Sequence, residues 1–82
     1  MRIMSVEQAN AKRTRRSIMA YLEGEKNLNW IVGTINSSGD VMEAKRLYLG
    51  LSGYGDHKRY EELGTWFEML ARPSMLYGQG AL

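Results

Sequence analysis

Breaks in the chain constrain the fold more than anything else in the sequence. Gly24, the run Ser37-Ser38-Gly39, the glycine-rich stretch Gly50-Leu51-Ser52-Gly53-Tyr54-Gly55 and Pro73 cut the 82 residues into short segments. Glycine and proline at such spacing end helices and strands alike. Within each segment the apolar residues recur at helical intervals, so the expected fold class is all-α: a compact bundle of three or four short helices joined by tight turns.

The first helix is expected to start near Ser5, with Gln8 closing a capping box, and to stop at Gly24. At 100° per residue Ala11, Thr14, Ile18, Tyr21 and Leu22 share one side, while Lys12, Arg16 and Met19 fall largely on another, flanked by Arg13 and Arg15. A second helix runs from Asn27 as cap, with Leu28, Ile31 and Ile35 in a stripe and Val32 beside them. Its β-branched residues and Gly33 leave residues 27–36 open to a strand, but the apolar run does not alternate, which favours helix. Ser37-Ser38-Gly39 reads as a tight turn.

Asp40 followed three residues later by Glu43 is the strongest internal helix start. Val41, Ala44, Leu47, Tyr48 and Leu51 then make one broad face, with Met42 and Leu49 on the other side, more apolar surface than one neighbouring helix covers. Asp56 caps the last helix, whose inward stripe is Tyr60, Leu63, Phe67 and Leu70, with Trp66 at its margin and Gly64 placed to allow a close crossing. Pro73 ends it near Arg72. One domain over residues 1–72 follows, with 73–82 as a tail in which Met75, Leu76 and Tyr77 favour docking and Gly78 and Gly80 favour mobility.

Charge is unevenly distributed along this chain. The first sixteen residues hold five Lys/Arg and one Glu, leaving six Lys/Arg and eight Asp/Glu in the remainder. The cluster Lys12, Arg13, Arg15 and Arg16 supplies most of that excess, and such a patch attracts phosphate backbones or acidic surfaces. Cysteine is absent, which excludes disulfides and thiolate metal sites and fits a cytoplasmic or otherwise intracellular protein. No apolar run reaches signal-peptide or membrane-spanning length, so no membrane insertion is expected.

Catalytic and cofactor chemistry finds little to work with. His57 is the single histidine; it pairs at helical spacing with Glu61, but two ligands do not make a zinc site. Ser52 lacks a nucleophile elbow, and Gly50, Gly53 and Gly55 lack the spacing and Lys-Ser/Thr ending of a phosphate loop. Glu61 and Glu68 lie two turns apart, a poor local carboxylate pair. The expectation is a protein with no enzymatic activity, metal or cofactor.

Two helix-turn-helix plans fit the spacing. One joins the first two helices around Gly24, with Ala20 and Trp30 at packing positions and Asn27, Asn29, Thr34 and Asn36 as candidate readers; the other spans residues 28–51 and offers Lys45 and Arg46. Glu23 and Glu25 around the first turn, and Asp40 and Glu43 at the start of the second candidate reader, oppose phosphate approach. The residues thus point to a small nucleic-acid-binding accessory or regulatory protein, DNA ahead of RNA, with phosphate contacts from Lys12, Arg13, Arg15, Arg16, Lys45 and Arg46. The alternative is a protein-interaction module, an inhibitor or assembly factor, meeting an acidic and apolar partner through Trp30, Met42, Tyr48, Leu49 and Trp66. A homodimer would bury a surplus helix face under either expectation.

Overall fold

The computed structural model describes residues 6–70 as four helices and no strand: α1 (Val6–Leu22), α2 (Leu28–Ser38), α3 (Val41–Leu49) and α4 (His57–Leu70). The all-α bundle expected from the sequence is what the described residues form, and residues 28–36 are helical with Asn27 as the cap. The expected start at Ser5, the stop at Pro73 and the docking of Met75, Leu76 and Tyr77 lie outside the described residues.

Each junction follows from side chains within reach of the backbone. Asn27 holds an extended conformation and its side-chain oxygen accepts from the Trp30 N–H at 2.8 Å, starting α2. That helix runs through Ser37 and Ser38 rather than turning at them. The Ser38 hydroxyl donates to the Ile35 carbonyl at 2.7 Å, and the left-handed Gly39 ends the helix one residue later. Asp40 caps α3 by accepting from the Glu43 N–H at 3.0 Å. Only half of a capping box forms, because the Glu43 carboxylate turns to Arg46 and the Asp40 N–H goes to the Ser38 hydroxyl. Asp56 accepts from the Lys58 N–H at 2.8 Å and starts α4.

The core gathers the inward stripes of all four helices: Ile18, Tyr21 and Leu22 from α1, Ile31 and Ile35 from α2, Ala44 and Tyr48 from α3, and Leu63 and Phe67 from α4, with Leu51 from the following turn. Thr14 is buried with them, as its place on the α1 stripe predicts. Burial of this kind contributes roughly 1.5–3 kcal/mol per large apolar side chain, before the entropy of ordering is subtracted. Two expectations fail at the edges. Met19, expected on the outer side of α1, packs partly against the core, and Leu70, expected inward, is 41% exposed at the end of α4.

Between α3 and α4 the loop is pinned to α1. The Asp56 N–H donates to the Leu22 carbonyl at 3.0 Å, and a Cβ on Gly55 would come within 2.6 Å of the same oxygen. Arg59 completes that junction: its Nη1 donates to the carbonyls of Tyr21 (3.1 Å) and Lys26 (2.9 Å), and its guanidinium lies over the Tyr21 ring. A cation here answers the partial negative charge of the α1 C-terminus, which α1 itself does not supply. The Tyr21 hydroxyl returns the contact by donating to the Arg59 carbonyl at 2.8 Å.

Candidate nucleic-acid interface

The buried stripe of α1 fixes where its cations point. Thr14, Ile18, Tyr21 and Leu22 occupy one side of the helix, and Lys12, Arg13, Arg15 and Arg16, all exposed, fan over an arc of roughly 160° on the other at 100° per residue. Arg13 Nη2 donates to the Asn10 side chain at 3.0 Å, and Arg13 stands with Ser17, Thr34, Ser37 and Ser38 along the α1–α2 seam. Among the described residues no carboxylate forms an ion pair with any of the four; the two pairs present are Arg46–Glu43 and His57–Glu61. All four stand exposed on the surface without such a partner.

Arg46 and Lys45 differ from one another. Arg46 grips Glu43 with both Nε (2.9 Å) and Nη2, and this contact holds the Glu43 carboxyl below its usual range and raises the guanidinium. Arg46 also lines a cleft of about 480 Å³ with Asn10, Ala11, Thr14, Asp40 and Glu43, which none of the four α1 cations lines. Lys45 is exposed and, with Arg46, lines an apolar groove of about 420 Å³ against α4. The six expected phosphate contacts are thus not one surface: four lie together on α1, while Lys45 and Arg46, the latter with its charge shared, line the groove between α3 and α4.

The expected readers of base edges are occupied in part. Asn27 is the α2 cap, and the Thr34 hydroxyl donates to the Trp30 carbonyl at 2.8 Å, leaving Asn29 and Asn36 exposed. At the start of α3 stand Asp40 and the Glu43–Arg46 pair. Neither helix presents a row of free donors that suits the major groove.

The expected protein-contact residues divide three ways. Met42 is 86% and Leu49 57% exposed, both on the groove between α3 and α4. Trp30 is exposed with the Lys26 ammonium 5.2 Å from its ring, and Trp66 is half-buried against Phe67. Tyr48 belongs to the core instead: only 6% exposed, it stacks on Tyr60 at 4.2 Å, tilts against Phe67 and donates its hydroxyl to the Tyr60 carbonyl at 2.8 Å. A side chain so enclosed offers no contact to a partner. Sequence periodicity put it on the buried face of its helix, but nothing local told that its ring reaches across to α4.

His57 and Glu61 meet at 2.9 Å on the exposed face of α4, and no group of three metal-ligating side chains occurs among the described residues. No helix there is long and apolar enough to cross a membrane. Comparison with protein-family models, curated proteins and solved structures finds no match.

Proposed function

We propose that this protein is a small nucleic-acid-binding accessory or regulatory protein that grips the phosphate backbone, of duplex DNA ahead of RNA, through the outer face of α1. The observation that carries this reading is the fan of Lys12, Arg13, Arg15 and Arg16, exposed together and without a carboxylate partner among the described residues. Four guanidinium and ammonium heads on a rigid helix of roughly 25 Å match a polymer that presents a phosphate charge about every 1.7 Å of duplex axis. Such contacts position the protein and carry no base information. The engaged state of Asn27 and Thr34 and the acidic start of α3 agree with a binder that holds DNA more than it reads it.

Binding is tested by titrating duplex DNA, single-stranded DNA and RNA at several salt concentrations, comparing the native chain with the Arg13→Ala/Arg15→Ala/Arg16→Ala variant. With four phosphates neutralised, log K falls with log salt at a slope near −3.6, and the triple variant loses about 2.7 of that slope. Binding that is absent, insensitive to salt or unchanged in the variant contradicts the assignment.

A further inference from the structure

We infer that the groove between α3 and α4 is a second, separate binding site, and that its occupant is an acidic amphipathic helix of another protein. Val41, Met42 and Leu49 of α3 and Phe67 and Leu70 of α4 form its apolar surface, and Lys45 and Arg46 are its charged margin. No carboxylate lines it among the described residues. Met42 and Leu49 lie seven residues apart on α3, about 10 Å along the axis, which accepts two turns of a helix bearing apolar side chains at i, i+3 or i+4, and i+7.

Charge decides among occupants. A second copy docked groove to groove would bring the same margin of Lys45 and Arg46, with no carboxylate lining the groove among the described residues to answer it. Residues 71–82 of this chain contain Arg72 and no Asp or Glu, so their side chains offer the cationic margin no carboxylate. Nucleic acid would leave Met42 and Leu49 facing phosphate. A helix with Leu-type anchors and flanking Glu or Asp answers both the apolar floor and the two cations, the second of which Glu43 already shares from the opposite side.

The test uses two synthetic helix-forming peptides of about sixteen residues with identical Leu anchors, one flanked by Glu and one by Lys. Titrated into the full chain and followed by methyl NMR, the Glu peptide should shift the Met42 and Leu49 methyls and bind about tenfold more tightly than the Lys peptide. Lys45→Glu should move that preference toward the Lys peptide, a gain of binding that an unfolded variant would not show. The Arg13/Arg15/Arg16 triple variant should bind the Glu peptide as the native chain does, which separates this site from the phosphate-binding face of α1. Equal affinity for the two peptides overturns the inference, as do shifts centred on residues 12–16, an unaltered preference in Lys45→Glu, and no binding at millimolar peptide. Met42 shifts that depend on protein concentration without peptide would assign the groove to a second copy. Met42 shifts caused by Leu76→Ser alone, with no peptide bound, would assign it to the chain's own C-terminal segment.

Discussion

Tyr21 and Tyr48 carry hydroxyls into the core, and each donates to a backbone carbonyl of α4, that of Arg59 and of Tyr60 respectively. Burial is the chief reason both phenols are pushed up to about 12; Glu62 adds to the effect at Tyr21, and the Tyr60 environment at Tyr48. A raised phenol stabilises the fold while neutral. That contribution is complete below the unfolded value near 10 and is lost as pH climbs through 12. Urea stability should therefore fall steeply over this window, with tyrosinate absorbance from the two rings appearing in step with loss of helical circular dichroism. Tyr48→Phe should cost about 1 kcal/mol at neutral pH by deleting one hydrogen bond. It should also shrink the alkaline loss of stability by on the order of 2 kcal/mol. An unchanged alkaline profile in that variant would remove Tyr48 from the account.

The seating of the Tyr48 ring of α3 against α4 turns on one missing side chain. Gly64 faces the Tyr48 ring, and a Cβ there would overlap the hydroxyl and stand 3.2 Å from Cζ. Gly64→Ala gains about 1 kcal/mol of helix propensity and sets it against roughly 1–3 kcal/mol of overpacking. Net destabilisation is expected, smaller in a Tyr48→Phe background where the hydroxyl is gone, and a double-mutant cycle of chemical denaturation measures the difference. Stabilisation by Gly64→Ala alone would mean that the Tyr48 ring has room to spare against α4. The sequence made Gly64 legible as a close-approach position, and Asn27, Asp40 and Asp56 as caps, because a cap and its N–H partner lie within three residues. Tertiary reach hid the rest. Arg59 lies 38 positions from the Tyr21 carbonyl it holds, Tyr48 is enclosed by rings of α4, and Leu70 is exposed because its place on a stripe does not say where the neighbouring helix ends.

Across the whole molecule, the two helices that carry the site's cations present different chemistry. The outer face of α1 is basic and unpaired among the described residues, the α3–α4 groove is apolar with a cationic margin, and the His57–Glu61 pair sits on the exposed side of α4. Grouping Lys45 and Arg46 with the α1 cluster followed from their charge and their place in the second helix-turn-helix plan. The bundle separates them from that cluster because α3 turns Ala44 into the core and sets both Lys45 and Arg46 on the groove against α4, which none of the four α1 cations lines. The central claim is that α1 meets phosphate with its outer face. It is tested most directly by amide and side-chain chemical-shift mapping of the full chain during titration with a short DNA duplex at low salt. The account predicts saturable shifts centred on Lys12, Arg13, Arg15 and Arg16, fading as salt is raised. Shifts centred on Met42 and Leu49, or none at all, would contradict it.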